Sequence, residues 1–144
     1  MRVRPMLDGD LDQVLALENA SFKQPWTLDH FRRELHDNPY ALLFVAEQEG
    51  IFLGFIDVWI MFEQATLNQI AVVVAHRHKG IGSIMLEDIF RRVKAAGAHQ
   101  ISLEVRVSNQ TAYEFYLKHD FKFILRKPRY YQDGEDANFM VRQL

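Results

Sequence analysis

Apolar and polar positions alternate along several segments with the two-residue period of half-buried strands. The clearest case is 100–107, where Ile101, Leu103 and Val105 share one face and polar side chains occupy the other. The run 70–74 is apolar without alternation, which is typical of a strand covered on both faces. The pattern predicts strands over 40–48, 51–62, 66–74, 100–107, 121–126 and 137–142, with a tight hairpin turn at Glu49-Gly50.

Four other segments show helical spacing. Asp8 is expected to cap the first helix, and Thr27 to open a second that ends before Asn38-Pro39. A third helix is predicted over about 81–96, with Gly97 as its stop. A short fourth helix follows Ser108 or Asn109. The order helix, helix, three strands, helix, strand, helix and two strands predicts an α/β (α+β) fold, a mixed twisted sheet covered by helices.

Composition narrows the class of protein. The 144 residues contain no repeat, linker or low-complexity tract, so we expect one domain over residues 1–144. A net charge of −2 lacks the electrostatic footprint of non-specific nucleic-acid binding. Apolar runs are too short for a membrane span, and no signal-peptide core follows the N-terminus, which predicts a cytoplasmic protein outside membranes.

Cysteine and histidine usage limits the chemistry. The chain has no cysteine, which excludes disulfides, a thiolate nucleophile and thiolate metal ligands. His76 and His78 flank Arg77, but no histidine pair has a familiar zinc spacing with a third ligand nearby. We therefore expect no metal.

The segment after the 66–74 strand has features of a phosphate-binding loop. Gly80 and Gly82 precede a helix, whose N-terminal N–H groups and dipole favour an anion. Arg77 and Lys79 add positive charge nearby. Taken alone, however, two glycines are better explained by a plain strand-to-helix turn. The spacing is neither a Walker loop nor the dinucleotide fingerprint.

In its wider context the loop resembles a known motif. Ile70-Ala71-Val72 followed by Arg77-x-x-Gly80-x-Gly82 is similar to the acetyl-CoA motif of the GNAT superfamily of N-acetyltransferases. That resemblance implies a single GNAT-like domain with a mostly antiparallel twisted sheet. Three further segments resemble the RimI-type branch, which acetylates the N-terminal alanine of a small-subunit ribosomal protein: Pro25-Trp26-Thr27, Leu103-Glu104-Val105-Arg106-Val107-Ser108-Asn109, and Arg129-Tyr130-Tyr131 before Gly134-Glu135-Asp136-Ala137.

The resemblance, which spans about Ser21 to Met140, implies roles for particular residues. Glu104 would be the general base and Tyr116 the general acid, and Asn109 would contact the cofactor. The backbone of Ile70, Ala71 and Val72 would contact the pantetheine arm of acetyl-CoA, with the Val72 N–H as oxyanion donor. The residues implied at the pyrophosphate are His78, Lys79, Gly80, Ile81, Gly82 and Ser83. Two departures are Val73-Val74-Ala75, where the family often has a proline, and Asp120-Phe121 in place of Gly-Phe.

Each proposed site residue also has a plainer interpretation. From alternation alone, Glu104 is a surface carboxylate paired with Arg106. Tyr116 is a core aromatic, and Tyr113, one turn away, competes with it as the acid. Trp26 and Tyr131 form either an aromatic wall for a peptide substrate or ordinary packing. The family match favours the functional interpretation of Glu104, and only the family spacing selects Tyr116 over Tyr113.

The chemistry agrees with the N-terminal acceptor that the resemblance implies. An N-terminal amine has a pKa of about 7.7–8.0 and lysine about 10.4, so a carboxylate is a sufficient base for the former. On the resemblance we predict acetyl transfer from acetyl-CoA to a protein N-terminus, by direct attack because no cysteine can carry the acetyl group. The alternatives are an acetyltransferase for a small amine or a lysine side chain, and a non-catalytic acyl-CoA-binding module.

Overall fold

A seven-stranded sheet forms the centre of the molecule. A computed structural model describes all 144 residues and orders the strands β1-β2-β3-β4-β5-β7-β6. The strands are β1 (Arg2–Pro5), β2 (Ala41–Gln48), β3 (Ile51–Met61), β4 (Gln64–Val72), β5 (Gln100–Arg106), β6 (Lys122–Lys127) and β7 (Ala137–Gln143). The helices are α1 (Leu11–Ser21), α2 (Leu28–His36), α3 (Ile81–Ala95) and α4 (Gln110–Lys118).

All neighbouring strands pair antiparallel except β4 and β5, which are parallel. The predicted mixed, mostly antiparallel sheet flanked by helices is therefore confirmed. Helices cover both faces, since adjacent β3 residues point into different cores. Phe55 packs with Phe31 of α2, whereas Ile56 packs in the cluster that contains Ile89 of α3. Burial of these large side chains on both faces supplies the main driving force for the fold.

Several local predictions are confirmed. Glu49 and Gly50 both have positive φ, as a tight hairpin turn requires. The Thr27 side chain accepts a hydrogen bond from the His30 N–H and so caps α2. Burial along β5 alternates at every residue, with Ile101, Leu103 and Val105 inside.

The N-terminal segment differs from the prediction. The sequence pattern did not predict β1, an edge strand of only four residues, two of which are charged arginines. Asp8 does not cap α1, because a 3₁₀ turn at Asp8–Asp10 precedes that helix. The carboxylate of Asp10 instead accepts hydrogen bonds from the Leu7 N–H and from the Arg4 guanidinium. A partly buried ion pair thus stands where a helix cap was expected.

The apolar run 70–74 is only partly a buried strand. β4 ends at Val72, and Val74 begins a 3₁₀ turn with most of its side chain exposed. Ala71 is buried, while Ile70 and Val72 are half-buried. The end of β4 therefore borders an opening in the molecule and is not covered on both faces.

Candidate active site

β4 and β5 lie side by side only where they begin. Gln64 pairs with Gln100 and Thr66 with Ser102, and the pairing stops there. Beyond these residues the strands separate around a cavity of about 370 Å³. Separated strands leave backbone N–H and C=O groups facing the gap, where a ligand with its own amide groups can pair with them. The gap is the candidate active site.

A bulge in β4 shapes the floor of this cleft. Val58 of β3 pairs with Leu67 and Asp57 pairs with Gln69, so Asn68 is the extra residue. Asn68 and Gln69 both line the cleft. The Nδ2 of Asn68 and the Oε1 of Gln69 are buried without a hydrogen-bond partner in the protein. The bulge could not be seen in the sequence pattern, because its position depends on the register with β3.

Six of the residues predicted for the site line the cleft together. They come from the α1–α2 loop, β4, β5, α4 and the β6–β7 loop, which are far apart in the sequence. They are Trp26, Ile70, Glu104, Asn109, Tyr116 and Tyr131. The other predicted residues, Ala71, Val72 and 78–83, do not line it and lie at the end of β4 and the start of α3.

The loop before α3 has the backbone geometry of an anion site. Gly80, the residue before the helix, has φ 80°, and His78 has φ 63°. This left-handed backbone conformation is most easily adopted by glycine. It turns the chain into α3, whose first N–H groups have no partner within the helix. The side chain of Ile81 is buried, so only its backbone is available to a ligand. Arg77 folds back on the loop, since its Nε donates to the Val72 carbonyl oxygen at 2.9 Å.

Gly82 and Ser83 face α4 as well as the loop. A Cβ on Gly82 would lie 3.3 Å from Cζ of Phe115, so the two helices approach closely at this glycine, and a larger residue would need the Phe115 ring to shift by a few tenths of an ångström. The Oγ of Ser83 lies 2.9 Å from Nε2 of His119, whose Nδ1 lies 3.1 Å from a Glu87 carboxylate oxygen. These contacts hold the loop before α3 against α4, the helix that carries Tyr116.

Glu104 projects from the polar face of β5 and is mostly buried. Its Oε1 accepts a hydrogen bond from Nζ of Lys127 at 2.8 Å, and Oε2 has no partner in the protein. The interpretation that Glu104 pairs with Arg106 is wrong, because Arg106 binds carboxylates of the β6–β7 loop. Lys127 lies on β6, and only the order β5-β7-β6 brings it to Glu104.

Tyr116 combines the two interpretations offered for it. Its ring packs edge-on against Phe121, with the centroids 5.6 Å apart, and contacts the main core cluster. It also lines the cleft, whereas Tyr113 does not. Burial, with a smaller contribution from Tyr131, raises the pKa of Tyr116 above its ordinary value of 10.0. The phenol is therefore protonated at neutral pH.

Asn109 is both a helix cap and a cleft residue. Its Oδ1 accepts a hydrogen bond from the Ala112 N–H at 3.1 Å and caps α4. The cap leaves the amide NH₂ of Asn109 as the group that can donate to a ligand in the cleft.

The aromatic residues Trp26 and Tyr131 are held in place by specific stacking. The indole of Trp26 lies parallel to the His30 imidazole with centroids 3.9 Å apart. The Tyr131 ring carries the Arg106 guanidinium at 4.0 Å from its centroid. Burial raises the pKa of Tyr131 to about 12. Both residues are packed and also face the cleft, so neither interpretation excludes the other.

The structure adds residues that the sequence pattern did not single out. Arg106 and Lys127 organise the charges of the cleft, and Asn68 and Gln69 line its floor. The one available signal was the polar face of β5, which carries both Glu104 and Arg106.

Two further observations concern membranes and metals. None of the four helices is both long and apolar enough to cross a membrane. No three His, Asp or Glu side chains lie together in an arrangement suited to a metal ion.

Several known proteins have similar sequences. The model of the acetyltransferase (GNAT) family matches residues 11–121. A Bacillus subtilis protein provisionally named a ribosomal protein bS18-alanine N-acetyltransferase is 37% identical, over 96% of this chain and 92% of that protein. A Sulfurisphaera tokodaii N-alpha-acetyltransferase is 31% identical over 99% of this chain and 93% of its own length.

A solved structure has the same fold. The ribosomal-protein-S18-alanine N-acetyltransferase from Escherichia coli superimposes with a TM-score of 0.88 and 27% sequence identity. The match covers 99% of this chain and 92% of that one. The match thus extends beyond the segment of the family match and takes in β1 and β7.

Proposed function

Because the chain belongs to the acetyltransferase (GNAT) family, we propose that it transfers an acetyl group from acetyl-CoA to the N-terminal α-amine of a protein. The substrate we propose is the N-terminal alanine of a small-subunit ribosomal protein, in line with the names of the Bacillus subtilis and Escherichia coli relatives. The observation that carries the proposal is one cleft lined by Glu104, Tyr116 and aromatic side chains from two loops.

The residues at the end of β4 and the start of α3 fit the cofactor. Bound acetyl-CoA supplies an acetyl group activated as a thioester. We assign its pyrophosphate to the backbone N–H groups that follow Gly80, and to His78, Lys79 and Ser83. The unpaired edge at Ile70–Val72 offers backbone groups to the amide-containing pantetheine arm. Asn109 donates from its free amide.

Glu104 has the position of a general base. The acceptor amine must lose its proton before it attacks, and Oε2 of Glu104 is free to accept that proton directly or through one water. The adjacent Lys127 ammonium balances the carboxylate charge in the partly buried cleft. A carboxylate suffices for an α-amine and is a poor match for lysine, whose pKa is about 2.5 units higher.

Tyr116 has the position of a general acid. The departing thiolate needs a proton, and burial keeps the Tyr116 phenol protonated. The Val72 N–H at the open end of β4 is the oxyanion donor in this scheme. Transfer is direct, in a ternary complex, because no cysteine can accept the acetyl group. A stable acetylated form of the protein seen by mass spectrometry would contradict direct transfer.

Substrate assays separate this function from its alternatives. We expect turnover with short peptides that begin with alanine and much less with free polyamines or internal lysines. Preference for the amines would identify a small-amine or lysine acetyltransferase. Tight CoA binding without any turnover would identify a non-catalytic binding module.

The base is tested by Glu104→Gln. We expect kcat to fall by roughly 10²-fold or more. The loss should be greatest at low pH, because little of the amine is then neutral and the variant has no base to remove its proton. The affinity for CoA should stay nearly unchanged. An unaltered pH–rate profile would remove Glu104 as the base.

Three wider features complete the proposal. Residues 1–144 act as one acetyltransferase domain, without a metal ion, and the protein works in the cytoplasm. The names of relatives that modify a bacterial ribosomal protein support the last point. Activity that disappears with a chelator and returns with a divalent ion would contradict the metal-free mechanism.

A further inference from the structure

Two loops from distant parts of the chain both contribute to the lining of the cleft. The α1–α2 loop contributes Gln24 and Trp26, and the β6–β7 loop contributes Tyr130 and Tyr131. We propose that Arg106 is a positioning residue that ties these two loops together and thereby sets which N-terminal residues the cleft accepts. The proposal rests on the proposed function for the identity of the substrate, while the tie itself is a matter of structure.

The Arg106 side chain, only 15% exposed, binds both loops at once. Its Nη1 donates to a carboxylate oxygen of Asp133 at 2.8 Å and to Oε1 of Glu135 at 2.8 Å. Its Nη2 donates to Oε1 of Gln24 at 3.3 Å. The guanidinium plane also covers the Tyr131 ring. Arg106 thus contacts three residues of the β6–β7 loop and one of the α1–α2 loop.

Glu135 strengthens the connection from the other side. Its Oε2 accepts a hydrogen bond from the Ser108 N–H at 2.9 Å, next to the end of β5. Its Oε1 lies 3.6 Å from Nζ of Lys23, in the α1–α2 loop. Hydrogen bonds from Ser108 and Arg106 lower the pKa of Glu135 to about 2, so the carboxylate is charged at every pH at which the protein is assayed.

The geometry requires arginine and not merely a positive charge. A guanidinium donates in several fixed directions within one plane and stacks on an aromatic ring with the same plane. A lysine ammonium could bind the two carboxylates that share Nη1, but it cannot also lie flat on Tyr131 and reach Gln24. Loss of the tie lets the two loops separate, and a wider cleft distinguishes small from large N-terminal side chains less well.

Arg106→Met and Arg106→Lys test the tie by kinetics. We expect Arg106→Met to raise the KM for an alanine-starting peptide roughly tenfold, because a small displacement of binding groups is costly. The KM for acetyl-CoA should change less than about twofold, since the loop before α3 is elsewhere. The kcat/KM ratio between alanine-starting and leucine-starting peptides should shrink, with Arg106→Lys intermediate.

Arg92→Met is the matched control. Arg92 is also paired with an aspartate, Asp88, and stacked on an aromatic ring, that of Phe44. It lies outside the cleft, so its replacement should lower stability without changing peptide selectivity. An unchanged alanine-to-leucine ratio in Arg106→Met would overturn the role in specificity.

Hydrogen–deuterium exchange tests the tie without any activity. In Arg106→Met, or in Gln24→Ala should that variant fold poorly, exchange should rise together in residues 22–27 and 128–136. Faster exchange in only one of the two loops would overturn the tie. If the wild-type protein acetylates no peptide, the proposed function fails, and the exchange result still decides whether Arg106 couples the loops.

Discussion

Asp57 is the residue whose environment departs furthest from what its chemistry prefers. It lies within β3 with no exposed surface, and neither carboxylate oxygen has a hydrogen-bond partner. Burial, and then the nearby Glu34 carboxylate, raise its pKa from the ordinary 3.8 to about 9. The folded protein therefore holds a neutral Asp57 at physiological pH. A buried ionised carboxylate without a partner would cost far more.

This proton makes folding depend on pH. Between pH 3.8 and about 9, the unfolded chain ionises Asp57 while the folded chain keeps the proton. The stabilisation that this group contributes is thus fully present below pH 3.8, and it decreases as the pH rises from 3.8 to about 9.

Asp57→Asn should stabilise the protein at neutral pH. The amide has the shape of the protonated acid and has no ionised form to favour unfolding, so we expect a gain of about 1–3 kcal/mol at pH 7–8. Urea unfolding at pH 4, 6 and 8 measures it, and the gain should shrink toward pH 4. Asp29→Asn, at an exposed position on α2, is the control and should show no such trend. Equal effects at all three values of pH would contradict a protonated Asp57.

β5 shows what could and could not be predicted from the sequence for single residues. The alternation of β5 predicted which side chains leave the core, and it placed Glu104 and Arg106 on one face. It could not predict their partners. Lys127 and Glu135 are more than twenty residues away and reach β5 only through the arrangement of β6 and β7.

At the scale of elements, the start of α3 depends on one left-handed residue. Gly80 precedes the helix with φ 80°, and nothing lies within 4 Å of where its Cβ would be. A Cβ there would meet no steric clash, so the whole cost of replacing Gly80 by alanine is backbone strain.

Gly80→Ala should separate strain from function. We expect a loss of stability of about 1 kcal/mol, together with a several-fold weaker affinity for CoA because relaxation of the strain redirects the first N–H groups of α3. Gly50→Ala is the matched control, since Gly50 has φ 78° and equal open space in the β2–β3 turn. Calorimetric titration with CoA should show weaker binding for Gly80→Ala alone. Equal affinity in both variants would show that the loop does not hold the phosphates.

Elements with strong local signals were predicted, and those that depend on distant contacts were not. The cap at Thr27 and the turn at Glu49-Gly50 follow from side-chain chemistry over three or four residues. β1 is four residues long and ends at Pro5, so it has little pattern of its own and exists because β2 pairs with it. The bulge at Asn68 likewise results from register with β3.

At the scale of the whole molecule, hydrophobic cores fill both faces of the sheet, and the cleft lies between β4 and β5, the one parallel pair of strands. The sheet continues unbroken from β1 to β4 and from β5 to β6, and it separates only between β4 and β5. The cleft was not predictable from any one segment. The resemblance to family motifs grouped its residues as one site, and the strand order explains how they come together.

A ligand that bridges this separation should stabilise the entire fold. At a concentration one hundred times its Kd, CoA is expected to add about 2.7 kcal/mol to the free energy of unfolding. For a chain of this size, that raises Tm by roughly 5–15 °C. Thermal unfolding with and without CoA measures the shift. Pantetheine at the same concentration lacks the phosphates and should raise Tm much less, and an equal shift would contradict the assignment of the α3 loop.

The position of β7 has a consequence for synthesis on the ribosome. β7 follows every other element in the chain, yet it lies between β5 and β6 and pairs with both. A nascent chain that has released everything up to β6 still lacks the strand that brings Lys127 to Glu104. The α1, α2 and β1–β4 portion can fold early, but the wall of the cleft that carries Glu104 forms only when β7 is present. The wall of the cleft on the β5 side therefore cannot be completed before β7 has been synthesised.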